Sequence, residues 1–127
     1  MFCADTSSWI AYLGRQSGWD VDLLDRGLRT ESVVMAPVVL SEMFSDPAIE
    51  TAVQEHLRSL PLLETSPGYW ERAGMTRALL CKHRSRPKLA DTLIAQSCLD
   101  YKIPLLTRDR DFLVFARHAG LLLVQQR

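Results

Sequence analysis

Asp5 in "FCADTSSW", Glu42 in "PVVLSEMF", Asp91 in "KLADTLIA", and Asp109 with Asp111 in "IPLLTRDRDF" are acids set inside or directly beside apolar runs. A carboxylate in such a setting is costly unless it is paired, protonated or bound to a cation. Each also has an ordinary structural reading. Asp5 precedes Thr6, Ser7 and Ser8, where a helix cap is expected. Asp91 falls in a first helical turn, whose dipole favours an acid. Glu42 can extend from its short helix to solvent, and the alternating charges of "RDRD" suit a solvated turn. Brought together, these acids would repel one another and raise each other's pKa values unless a cation neutralised them. With oxygen donors only, and no His or Cys beside them in sequence, the fitting ion is hard: Mg²⁺, with Mn²⁺ as the alternative. Such an ion activates a water for attack on phosphorus and neutralises charge on the phosphate and the leaving oxygen. Phosphodiester hydrolysis is the chemistry this donor set suits.

The acids act together only if the fold delivers them to one place. "MFCA", "SVVMA" (Ser32–Ala36), "IPLLT" (Ile103–Thr107) and "LLLV" read as buried strands, with "PLLE" a shorter candidate. Helices are expected from the Thr6–Ser8 hydroxyls to Gly14, over Trp19–Leu28, from Pro37 onward, from Pro47 to about Leu60, over Tyr69–His83 and Lys88–Tyr101, and over Asp111–Ala119 with Gly120 as a stop. Continuously apolar strands alternating with helices predict a three-layer α/β/α fold with a mostly parallel central sheet. Ligands in such folds sit outside the carboxyl ends of the strands. Asp5 follows the first strand, Glu42 rides the helix after the second, and Asp109 and Asp111 follow "IPLLT". The topology therefore sends them to one rim.

Composition narrows the class without choosing a partner. The chain has 127 residues, 47% apolar and 24% charged, and its 15 basic residues equal its 15 acidic ones. A single domain over residues 1–127 is expected. Nucleic-acid binding would have to rest on a local basic patch. Cys3, Cys81 and Cys98 are odd in number and far apart, each in an apolar segment, which favours buried thiols over a disulfide framework or a zinc site. Asp5 interrupts any leader-like apolar core, and no apolar run approaches a membrane span. A cytoplasmic protein is the expectation.

"FCADTSSWIAYL", "PVVLSEMF" and "RPKLADTLIAQSCLDYKIPLLTRDRDF" together resemble PIN-domain ribonucleases, most closely the VapC-type toxins of bacterial toxin–antitoxin pairs. The likeness runs through nearly the whole chain, in order. It implies a PIN-like fold with an acidic pocket for Mg²⁺ or Mn²⁺, in which Asp5, Glu42 and Asp91 match the family's first three acids. The fourth is Asp109 or Asp111, and this sequence holds an acid at both positions. Thr107 matches the hydroxyl beside the pocket, and Thr6 or Ser7 would orient Asp5.

The implied activity is metal-dependent endonucleolytic cleavage of RNA, with Asp5, Asp91, Asp109 and Asp111 as metal ligands. Glu42 would be a ligand or a group that positions and deprotonates water. Arg84, Arg86, Lys88, Arg108 and Arg110 flank the acids and form an expected phosphate track, and Trp9 or Tyr12 would stack bases. The resemblance also implies a homodimer and a cognate VapB-type antitoxin, for which Trp9, Tyr12, Leu13, Met43 and Phe44 form an expected apolar groove. Two other readings stand beside it: a PIN nuclease of RNA processing without an antitoxin, and a catalytically silent PIN-like binding module.

Overall fold

Three very short strands, all parallel, form the frame. In the computed structural model, which describes residues 1–127, β1 (Phe2–Ala4) lies between β2 (Val33–Val34) and β3 (Leu105–Leu106). Phe2 and Cys3 pair with Val33 and Val34, and Cys3 and Ala4 pair with Leu105 and Leu106. Every strand residue is buried, as a parallel sheet covered by helices requires. "PLLE" and "LLLV" extend this sheet by one bridge each, Leu62 to Met35 and Leu123 to Leu105. Neither grows into a full strand: each makes a single bridge, with Leu63 and Leu121 buried in the core and Leu62 and Leu122 exposed.

Seven helices flank the sheet: α1 (Thr6–Leu13), α2 (Trp19–Arg29), α3 (Pro37–Phe44), α4 (Thr51–Ser59), α5 (Tyr69–Lys82), α6 (Leu89–Tyr101) and α7 (Leu113–Ala119). The α/β/α layering follows the expectation from sequence. Proline opens α3 at its first helical position, where its missing N–H costs nothing. Gly27 brings α2 close to the sheet: a Cβ there would lie 2.6 Å from Phe2 Cζ and 2.9 Å from Val33 Cγ2. Helix α4 begins later than Pro47, because Asp46 closes a turn over that proline. Its Oδ1 accepts from the Ala48 amide at 2.9 Å and its carbonyl accepts from the Ile49 amide at 3.2 Å. The last helix also begins late, after a separate 3₁₀ turn over Arg110–Phe112.

One cluster of 22 buried apolar residues joins both sides of the sheet, with Trp9, Leu24, Met35, Leu57, Leu80, Ile94, Phe112 and Phe115 among its largest members. Cys3 and Cys98 are buried thiols, whereas Cys81 is exposed on α5, which corrects the expectation of a buried third cysteine. No helix is long and apolar enough to cross a membrane.

Candidate active site

The end of β1 runs straight into the cap of α1, and the capping residue is Asp5 itself. Its Oδ1 accepts from the Ser8 amide at 3.1 Å and from the Ser7 hydroxyl at 2.7 Å, while Oδ2 accepts from the Thr107 hydroxyl at 2.6 Å. Asp5 is almost fully buried, and burial raises its pKa against the lowering effect of these three bonds. The Thr107 hydroxyl also accepts from the Asp109 amide at 2.9 Å, and Ser7 Oγ accepts from the Arg108 amide at 3.1 Å. Capping of α1 and shaping of the loop after β3 thus share one hydroxyl-bridged carboxylate.

That loop places three acids together. One carboxylate oxygen from each of Asp91, Asp109 and Asp111 lies within 4.8 Å of the other two. Asp91 comes from the first turn of α6, and Asp109 caps the 3₁₀ turn by accepting from the Asp111 amide at 2.8 Å. The Asp91 pKa is raised to about 6, first by burial and then by the charges of Asp109, Asp111 and Glu42, with Lys88 opposing. All available donors are carboxylate oxygens, clustered and mutually repelling, and this fits a hard divalent cation. Of the sequence-predicted acids, Asp91, Asp109 and Asp111 form this cluster, and Asp5 adjoins it, the charge of Asp109 adding to the rise in its pKa.

Glu42 lies on the exposed side of α3, whose Val39 and Met43 are buried, so the reading of a carboxylate sunk in an apolar helix is corrected. It is nevertheless held in place, because its Oε1 accepts from the Thr6 hydroxyl at 2.7 Å. The expected orienting hydroxyls therefore divide: Ser7 and Thr107 hold Asp5, and Thr6 holds Glu42.

The bases divide as well. A cavity of about 430 Å³ beside the acids is lined by Arg86, Lys88, Asp91, Arg110, Asp111 and Arg117, among others. Arg84 lies outside this lining, with its backbone in the left-handed region at φ 61°. Arg108 is removed from the phosphate track. Its Nε and Nη2 donate to Asp20 at 2.6 and 3.0 Å, Nη1 donates to Gln16 at 2.9 Å, and Nη2 also donates to the Ser17 carbonyl at 2.8 Å. A guanidinium held by four such bonds has almost no donor left for a phosphate. Sequence reasoning passed over both Asp20 and Arg117. The helical spacing of Leu113, Val114 and Arg117 was a usable signal for the second, whereas Asp20 had none, since its partner lies 88 residues away.

The expected apolar groove is corrected in part. Trp9 and Met43 belong to the core, so neither lines an open groove, and Trp9 is closed to a stacking base. Leu13 reaches the surface, Tyr12 is half-buried, and the half-buried Phe44 carries Arg58 above its ring at 5.1 Å.

Residues 2–119 match the family model of the PIN domain. Among solved structures, the chain resembles VapBC2 from Rickettsia felis bound to a DNA fragment from their promoter, at a TM-score of 0.73 and 16% identity over 99% of this chain and 98% of that one. It also resembles FitAcB from Neisseria gonorrhoeae, at a TM-score of 0.74 and 17% identity over 98% and 97% of the two chains. VapBC-5 from Mycobacterium tuberculosis, a member of the VapBC family of toxin–antitoxin systems, gives a TM-score of 0.67 and 20% identity over 98% of each chain. At these identities the likeness is one of fold. No curated protein matches the chain by sequence.

Proposed function

The chain belongs to the PIN-domain family, and from that membership and its acidic pocket we propose that it is a metal-dependent endoribonuclease, the toxin of a VapBC-type toxin–antitoxin pair. One observation carries the reading: Asp91, Asp109 and Asp111 converge within 4.8 Å, and the cavity that holds Asp91 and Asp111 is also lined by Arg86, Lys88, Arg110 and Arg117. Acids that gather a cation beside bases that gather phosphates suit a phosphodiester substrate.

Asp91, Asp109 and Asp111 would hold the cation, Mg²⁺ or Mn²⁺. When bound, it supplies a lowered water pKa and neutralisation of charge on the reacting phosphate. Asp5 fixes Thr107 and through it the Asp109 amide, so the loop keeps its shape while its acids repel. Glu42 has Oε1 fixed by Thr6, which leaves Oε2 to accept a proton from an attacking water. Arg86, Lys88, Arg110 and Arg117 bind the backbone phosphates on both sides of the scissile bond.

In this reading the protein works in the cytoplasm as a homodimer and is silenced by a VapB-type antitoxin, whose basic side chain would enter the acidic pocket. Tyr12, Leu13 and Phe44 are the surface-reaching members of the proposed antitoxin contact. Purified protein should cleave single-stranded RNA with Mg²⁺ or Mn²⁺, stop with EDTA, and lose activity in a folded Asp91→Asn variant. Cleavage that persists in EDTA would sink the reading.

A further inference from the structure

A second cavity, of about 310 Å³, adjoins the acidic one and shares Arg110 and Leu113 with it. Its lining includes Asp109 of the acid cluster, and its remaining walls include Trp19, Gln125 and Gln126. Given the nuclease reading above, on which this inference rests for its ligand class, we propose that this cavity receives one unpaired RNA base next to the scissile phosphate, stacked on Trp19 and hydrogen-bonded by Gln125 and Gln126.

Trp19 differs from the other tryptophans. Trp9 is wholly inside the core and Trp70 is largely exposed, whereas Trp19 packs partly on the core and also walls a cavity. An indole in that position offers a stacking platform that every base can use. The side-chain amides of Gln125 and Gln126 each carry a donor and an acceptor, which suits the edge of an unpaired base.

The fold also fixes the platform. Trp19 opens α2 between two anchored neighbours: Arg108 grips the Ser17 carbonyl at 2.8 Å on one side and Asp20 at 2.6 Å on the other. Gly18, with φ 150°, permits the close turn, since a Cβ there would lie 2.6 Å from both Arg108 Nη2 and Asp20 Oδ1. The opposite wall is pinned by the Val124 amide, which donates to the Leu105 carbonyl at 2.9 Å just before the two glutamines. Arg108, unavailable to phosphate, is thus a positioning residue for Trp19, and it does so from within the loop that carries Asp109. These bonds fix the backbone on either side of the indole, so the platform itself needs little ordering when a base enters, while the exposed Gln125 and Gln126 side chains adjust to its edge.

The test uses single-stranded oligoribonucleotides in which one base at a time is replaced by an abasic sugar. Binding is read by anisotropy on the Asp91→Asn background, and cleavage is read on the otherwise unchanged protein. With Trp19 present, removing the base at one position beside the cleavage point should weaken binding by roughly 5- to 150-fold. In Trp19→Leu that penalty should fall below about twofold, while Trp19→Tyr, which keeps a ring, should retain most of it. An equal penalty in Trp19→Leu and the parent, or no position at which the base matters, overturns the proposal. So does a Trp19→Leu defect confined to binding a basic peptide, because the wall would then serve a protein partner. If base-dependent binding holds but the unchanged protein cleaves nothing, the nuclease reading fails and the subsite stands. If every abasic strand is bound and cleaved like the parent strand, the subsite fails and the nuclease reading stands.

Discussion

Two ionic regions meet in the five residues from Thr107 to Asp111, and they treat charge in opposite ways. Arg108, itself partly exposed, is matched to the buried Asp20, with nearly all of their hydrogen-bonding capacity used. Asp109 and Asp111 follow Arg108 in the same loop and meet Asp91 from α6, and none of the three takes part in any of the three ion pairs of the molecule. This is so although four bases line the adjoining cavity. The matched pair fixes geometry, joining the loop after β3 to the start of α2. Backbone amides, the Thr107 hydroxyl and Asp5 hold the loop acids in place beside Asp91, so folding sustains a repulsion that a bound cation or a proton on Asp91 relieves. In the proposed function, the paired charges fix structure and the unpaired acids are the ones left for a ligand.

The sharpest way to break this contrast is to remove one charge from each side. Asp91→Asn should cut RNA cleavage by at least about 10³-fold, the several kcal/mol of charge stabilisation expected of a cation site. The same substitution should raise the melting temperature of the metal-free protein, because it deletes a repelled carboxylate. Mg²⁺ should stabilise the parent but not the variant, and a variant that melts lower than its metal-free parent would break the contrast. Asp20→Asn should do the reverse, lowering the melting temperature by on the order of 5 °C because Arg108 loses its charged partner.

Smaller effects separate the bases. Arg110→Ala and Arg117→Ala should each raise KM for RNA by up to about fivefold, and each should flatten the salt dependence of binding by about one unit of slope. Melting should stay unchanged in both, whereas Arg108→Ala should lower it. Arg84→Ala should alter neither KM nor melting, and a KM effect equal to that of Arg117→Ala would redraw the phosphate track.

The smallest expected signal is in the pH dependence of stability without metal. The bonds from Arg108 hold the Asp20 carboxyl below its ordinary value, so its stabilisation is complete above the unfolded carboxylate range near pH 4. That contribution is lost as pH falls through the lowered folded value. Asp91, raised to about 6, has the opposite sign. Its contribution is fully present below the unfolded value and is lost as pH rises through about 6. Urea midpoints measured in EDTA should therefore fall on both sides, with Asp91→Asn flattening only the upper limb and Asp20→Asn only the lower one.

Much of the frame was legible because local rules act on near neighbours. The β-branched "SVVMA", the Pro37 start and the Gly120 stop each report a backbone preference that the tertiary structure had no reason to override. The edge segments "PLLE" and "LLLV" read too strongly, because apolar content marks residues that reach the core, as Leu63 and Leu121 do, without fixing how many ladder bonds their backbone makes. Glu42, inside an apolar run, is a related case: an apolar sequence around an acid does not say which side of the helix faces the core, and α3 turns Val39 and Met43 inward.

By itself, the sequence determined the acids, their order after successive parallel strands and the hard-cation chemistry they suit, since donor type and strand order are one-dimensional properties. Tertiary structure alone decided how those acids are shared out. It set Asp5 to cap α1 and hold Thr107, brought Asp91 to Asp109 and Asp111, and gave Glu42 to Thr6. It also sent Arg108 to Asp20 instead of to a phosphate. The physical reason is that a charge acts through its surroundings: burial, hydrogen-bond partners and neighbouring charges are set by residues far away in sequence, and these decide whether an Arg or an Asp is spent on the fold or left for a ligand.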